Sequence, residues 1–110
     1  MATALITGPT SGIGRGFAEL FARKGYDLVL VSRDEQRLAA RGEELLAEFG
    51  VRSEVLVADL SVRADVDRVA DRLADRSRPI SALVNNAGFG LRTGFSRDSV
   101  DDEQRLLDVL

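Results

Sequence analysis

The sequence predicts an α/β fold, a doubly wound parallel sheet with strand order 3-2-1-4. Three observations carry this prediction. Segments of strand and helix character alternate along the 110 residues. The strand segments are apolar at nearly every position, the pattern of a sheet covered on both faces. Glycines stand where helices must stop, and polar residues stand where helices can be capped.

Ala4-Leu5-Ile6-Thr7 is a short apolar run that meets Gly8 and reads as a buried strand. Ile13, Phe17, Leu20 and Phe21 then fall at helical spacing, and Gly25 stops that helix. Asp27-Leu28-Val29-Leu30-Val31-Ser32 is the second strand. Asp34 suits the N-cap of a second helix in which Leu38, Leu45 and Phe49 share a face, and Gly50 ends it. Glu54-Val55-Leu56-Val57-Ala58 is the third strand. Ser61 suits the cap of a third helix with Val62, Val66, Val69 and Leu73 on its apolar side, and Pro79 lies beyond its end. Ala82-Leu83-Val84 is the fourth strand and enters Asn85-Asn86-Ala87-Gly88. A glycine-rich stretch through Gly90 and Gly94 follows, and Ser99 opens a last helical stretch with Leu106, Leu107 and Leu110 apolar.

Right-handed crossovers set the layout. Strands one to three step in one direction with two helices on one face. A fourth strand that returns to the far side of strand one brings its helix to the opposite face. The sheet is expected to be incomplete at the strand-four edge, where backbone donors and acceptors would lack partners. The chain also stops at Asp108-Val109-Leu110, inside an apolar helical pattern. Residues 1–110 are therefore read as the N-terminal part of a single larger domain.

Composition narrows the chemistry. Charged residues make up 30% and the net charge is -3, with both signs interspersed. That leaves no basic stripe for nucleic acid and no polybasic patch for a membrane surface. The chain has no cysteine and no histidine, which excludes disulfides, thiolate catalysis, histidine acid–base chemistry and the usual zinc sites, so no metal site is expected. The first residues lack a basic n-region and no apolar run is long enough to span a bilayer, so the expected location is cytoplasmic.

The turn after strand one reads Thr7-Gly8-Pro9-Thr10-Ser11-Gly12-Ile13-Gly14. Gly8 permits a sharp exit from the strand, Gly12 leaves no side chain between backbone and a phosphate, and Gly14 lets the helix pack closely on the strand. The unpaired N–H groups at the helix start, with the helix dipole, then favour a pyrophosphate. Thr10 and Ser11 offer hydroxyls to the same oxygens. A plain glycine-rich turn is the competing reading, and it is outweighed by the complete βαβ setting.

This spacing resembles the T-G-x-x-x-G-x-G signature of the short-chain dehydrogenase/reductase family. Asp59-Leu60 after strand three and Asn85-Asn86-Ala87-Gly88 after strand four match that family's further landmarks in order. The resemblance covers essentially the whole chain and implies the N-terminal, cofactor-binding half of a Rossmann domain. It implies an oxidoreductase passing a hydride between nicotinamide and a carbonyl or alcohol carbon. It places Asp59 near the adenine, although the same residue also suits a helix cap. It brings Asn86, Ala87 and Gly88 near the ribose and nicotinamide, and gives Asn85 a structural role.

Strand two ends in Ser32-Arg33, where an NAD-type site would carry an acidic residue. Arginine can pair with a 2′-phosphate through two N–H donors and Ser32 can add a hydroxyl, which favours NADP(H) over NAD(H). A merely solvated Arg33 is the alternative. Asp34, one position late, suits the helix cap. Arg15, directly after the turn, is read as facing solvent.

The family's catalytic Asn, Ser and Tyr-x-x-x-Lys all come later in its chains, so no catalytic residue is assigned. Tyr26 is the only tyrosine and Lys24 the only lysine, and neither spacing nor location fits the catalytic pair. By itself the chain is expected to lack activity. A non-catalytic dinucleotide-binding module, or a truncated remnant, is the alternative function. Expected partners are the dinucleotide, a small carbonyl or alcohol substrate in an intact protein, and a second copy of the chain in a homo-oligomer.

Overall fold

A computed structural model describes residues 2–10 and 12–86 of the chain. The elements are β1 (Thr3–Thr7), α1 (Gly12–Arg23), β2 (Asp27–Ser32), α2 (Glu35–Phe49), β3 (Ser53–Val57), α3 (Arg63–Ala74) and β4 (Ala82–Asn85). The sheet order is β3-β2-β1-β4 and each pairing is parallel. This is the predicted doubly wound layout.

Successive strand side chains point to opposite faces, and both faces are covered. Ala4, Ile6, Leu28, Leu30, Ala82 and Val84 form one core with Ala18, Phe21 and Ala22 of α1 and Leu38 and Leu45 of α2. Leu5, Val29, Val31 and Leu83 form the other with Val66 and Val69 of α3. Each buried Leu or Val contributes roughly 1.5–3 kcal/mol. Four in a row, Leu28 to Val31, therefore outweigh any intrinsic strand preference, which spans only ~1 kcal/mol.

The helix ends follow their local chemistry. Gly25 takes φ +86°, and the Gly25 and Tyr26 amides donate to the Ala22 and Phe21 carbonyls at 2.9 and 3.0 Å, closing α1. The Asp34 carboxylate accepts from the Arg37 amide at 3.1 Å and caps α2. Gly50, at φ +72°, ends α2 with its N–H on the Leu46 carbonyl.

Several details depart from the sequence reading. The core side of α1 is Gly14, Ala18, Phe21 and Ala22, whereas Ile13 is 71% exposed and Leu20 lies at the surface. The small residues recur every fourth position and let α1 sit low on the sheet, which turns the larger neighbours outward. β3 runs one residue earlier than expected, and Ala58 follows it, its N–H on the Ser32 carbonyl at 2.9 Å. α3 begins at Arg63 with Val62 at its N-cap and no side-chain cap, so Val62 is exposed and Ser61 does not cap the helix. Arg41 and Arg72 are buried. Arg72 bonds Glu54 Oε2 at 2.9 Å and the Arg78 carbonyl at 2.7 Å, tying the end of α3 to β3. The glycine-rich stretch through Gly90 and Gly94 and the predicted helix from Ser99 lie outside the described residues. Among the described residues no helix is long and apolar enough to cross a membrane.

A methyl group added at Gly50 meets no atom within 4 Å, so its cost is the left-handed backbone alone. Gly50→Ala is expected to lower stability by about 1–2 kcal/mol. Urea denaturation should show a lower midpoint with an unchanged slope.

Candidate functional site

Parallel register brings the carboxyl ends of all four strands to one edge. Thr7 is level with Val31 and with Asn85, and Val31 with Leu56. The chain leaves β1 toward β2 on one side and returns beside β1 as β4 on the other. This reversal opens a crevice beyond the strand ends, the usual ligand position in such sheets.

The glycine-rich turn forms one wall. Gly8 leaves β1 at φ +62°, its N–H on the Val31 carbonyl at 3.0 Å. Gly12 enters α1 at φ +57°, and a methyl group there would meet open space. Gly14 has no such room: a Cβ would overlap the Gly8 carbonyl oxygen and lie 2.8 Å from Asn86 Nδ2. The start of α1 is thus seated on the backbone of the turn. Its first-turn amides have no partner inside the helix, and the dipole adds positive potential there.

The opposite wall is tied to the same turn. Thr7 is fully buried, and its Oγ1 donates to Asn85 Oδ1 at 3.0 Å. Asn86 Nδ2 donates to the Gly8 carbonyl at 3.3 Å. The end of β4 is therefore bonded to the end of β1 through two asparagine side chains.

At the ends of β2 and β3, Ser32 Oγ accepts from the Asp34 amide at 3.2 Å and Arg33 is exposed. Asp59 accepts from the Ser61 hydroxyl at 2.6 Å and the Ser61 amide at 2.9 Å. The Ser61 hydroxyl, then its amide, hold the Asp59 carboxyl below the ordinary 3.8, partial burial opposes them, and the Arg33 charge lowers it further. Asp59 therefore closes its own tight turn and does not cap α3. Its amide donates to Asp65 Oδ2 at 2.8 Å, a role for Asp65 that sequence did not single out. Leu60 is partly buried against the α3-side core.

Thr10 is half-buried and Ile13 is exposed on the turn. Ser11, Ala87 and Gly88 lie outside the described residues. Arg15 does more than face solvent, since it pairs with Glu19 at 3.8 Å and Glu44 at 3.4 Å. Tyr26 packs edge-on against Phe21 with ring centroids 4.9 Å apart, just before β2 begins, and Lys24 precedes it. Both stand at the amino ends of the strands, away from the crevice. Among the described residues the crevice edge thus presents helix-start amides that lack a partner inside the helix, hydroxyls and the exposed Arg33 guanidinium, a set of groups suited to an anion.

The family model for short chain dehydrogenase matches residues 2–109. The chain belongs to the short-chain dehydrogenase family. It is 39% identical over 108 residues to the uncharacterized oxidoreductase YmfI of Bacillus subtilis (strain 168), covering 94% of this chain and 43% of YmfI. A short-chain dehydrogenase from Sphingobium yanoikuyae, solved in complex with NADPH, is 52% identical and superimposes with a TM-score of 0.75 over 81% of this chain and 34% of that one. The bulky-bulky ketone specific alcohol dehydrogenase from Comamonas testosteroni (orthorhombic form) is 39% identical, with a TM-score of 0.74 over 96% of this chain and 43% of that one. The chain therefore spans less than half the length of these relatives.

Gly14→Ala is expected to cost roughly 1–3 kcal/mol or to prevent folding, because the obstruction is backbone. Gly16, on the same helix with open space around it, serves as the control. Gly16→Ala should be neutral or stabilising by up to ~1 kcal/mol in the same urea titration. A carboxylate with a lowered pKa contributes stability that is present above its unfolded value and lost as pH falls through the folded one. Asp59 should therefore titrate below 3.8 by NMR, and Ser61→Ala should move its midpoint back up.

Proposed function

We propose that this chain is the cofactor-binding part of an NADP(H)-dependent oxidoreductase that moves a hydride between nicotinamide and a carbonyl or alcohol carbon. The seating of Gly14 on the Gly8 carbonyl carries this reading, because it leaves the first-turn amides of α1 at the mouth of the crevice. The residues fit a dinucleotide along its length. The turn through Gly8, Thr10, Ser11, Gly12, Ile13 and Gly14 holds the pyrophosphate through backbone donors and two hydroxyls. Arg33 and Ser32 take the 2′-phosphate, the guanidinium offering two parallel donors. Asp59 and Leu60 border the adenine, with Asp59 kept ionised by Ser61. Asn86, Ala87 and Gly88 border the ribose and nicotinamide.

The nicotinamide supplies the hydride when bound. This chain's residues bind and orient it. The one tyrosine and one lysine lie two residues apart, at the far edge of the sheet, so the chain on its own is proposed to hold the cofactor without turnover. The NADPH in the Sphingobium yanoikuyae neighbour supports the choice of cofactor class. In an intact enzyme the substrate is a small carbonyl or alcohol.

NADPH at a hundred times its Kd should stabilise the folded chain by about 2.7 kcal/mol, visible as a raised Tm. A folded chain whose Tm ignores saturating NADPH and NADH would remove the reading. Arg33→Ala deletes a charged hydrogen-bond donor worth roughly 1.5–3 kcal/mol. NADPH affinity should fall roughly ten- to a hundredfold while NADH affinity stays within a small factor. Equal losses for the two cofactors, measured by fluorescence titration, would return Arg33 to the status of a surface charge.

A further inference from the structure

Arg41 sits in the middle of α2 with its side chain only 3% exposed. Its Nη1 donates to Glu44 Oε2 at 2.9 Å, and its Nη2 to Glu19 Oε1 at 3.1 Å and to the backbone carbonyl of Arg15 at 3.3 Å. Arg15 in turn reaches Glu44 at 3.4 Å. The four charges cancel, and the cluster bridges α1 and α2. Arg41 reaches the carbonyl of the fourth residue of α1, one position past Gly14. A recess of about 220 Å³, lined by Thr10 of the turn as well as Arg15, Arg37, Arg41 and Glu44, lies beside it.

This is a poor arrangement if stability were its only result. Taking an arginine out of water offsets much of the attraction it gains, and a whole buried ion cluster replaced by apolar residues of similar volume is often as stable or more so. Arg41 Nε is moreover buried without a hydrogen-bond partner among the described residues. What the guanidinium does, and an apolar side chain cannot, is fix the first turn of α1 laterally through its carbonyl. The Gly8 carbonyl limits that turn from below, and Arg41 holds it from the side.

We infer that Arg41 is a positioning residue for dinucleotide binding, holding the α1 amides in register with the pyrophosphate. The inference rests on the cofactor-binding reading above. It makes a distinctive prediction, because the pyrophosphate is common to NADPH and NADH. Loss of Arg41 weakens both cofactors by the same factor, whereas loss of Arg33 separates them.

The test is titration of the 110-residue chain and its Arg41→Met variant with NADPH and with NADH, alongside urea denaturation of each. The variant leaves the partly exposed Glu19 and Glu44 with Arg15 as their remaining cation, so its urea midpoint should fall modestly while the chain stays folded. It should bind both cofactors about tenfold more weakly, equivalent to about 1.4 kcal/mol. Unchanged affinity overturns the inference, and so does a loss confined to NADPH, which would make Arg41 a 2′-phosphate ligand. If Arg41→Met does not fold, Arg41→Lys decides. Its single ammonium keeps a cation near Glu44 but lacks the fork that also reaches the Arg15 carbonyl. It should fold and lose affinity for both cofactors, and wild-type binding by Arg41→Lys overturns the inference. A folded wild-type chain that binds neither cofactor removes the cofactor-binding reading and this inference together.

Discussion

The contact between Gly14 and the Gly8 carbonyl oxygen sets the geometry on which the rest of the site depends. A helix can approach a turn this closely only where one side of it carries no side chain. The approach lowers α1 onto the sheet, and its later contacts follow suit: Ala18 and Ala22 are fully or almost fully buried, and Phe21 fills the remaining depth. The same approach aims the helix start at the carboxyl edge of β1. Packing and binding geometry are therefore one constraint seen from two sides. The glycine that permits the packing is also the glycine that exposes the amides.

Charge is distributed around this seat in two different ways. Arg33 is exposed at the crevice rim and can meet a ligand directly. Arg41 and Arg72 are buried and spent on internal partners, one bridging α1 to α2 and the other tying α3 to β3. Asp59 lies between these extremes, with a carboxylate occupied by Ser61 and influenced by Arg33. In an arginine-rich chain, burial and partner separate these roles, and residue type alone does not.

The sheet and its order were legible because the strands are apolar on both faces and their connections obey a fixed hand. The turn was legible because its glycines stand at spacings that backbone geometry requires. Helix faces were less so. Ile13 and Leu20 fit the apolar period, yet the depth of α1 is set by Gly14, Ala18 and Ala22, small residues that carry little hydrophobic signal. Ser61 looked like a helix cap because it precedes the helix, but Asp59 is two residues away and accepts both its hydroxyl and its amide. Arg41 was invisible for a different reason. Its Glu44 partner stands at i+3, but Glu19 and the Arg15 carbonyl come from another helix, and only the fold brings them together. The short-chain dehydrogenase resemblance was legible from the turn, Asp59 and the two asparagines, and the family match covers nearly the whole chain.

The bond from Thr7 to Asn85 joins residues 78 positions apart. Its entropic cost grows only slowly with that distance, by about 0.6 kcal/mol per doubling of the loop, but the closure must wait for the distant partner. The glycine turn emerges early from the ribosome, yet its opposite wall arrives only with β4. Until then the turn is half a crevice, with the Gly8 carbonyl lacking the Asn86 amide and Thr7 lacking Asn85. The order of synthesis thus makes the last described strand the one that completes the pocket, so an incomplete chain ending before it would carry the phosphate turn without the frame that aims it.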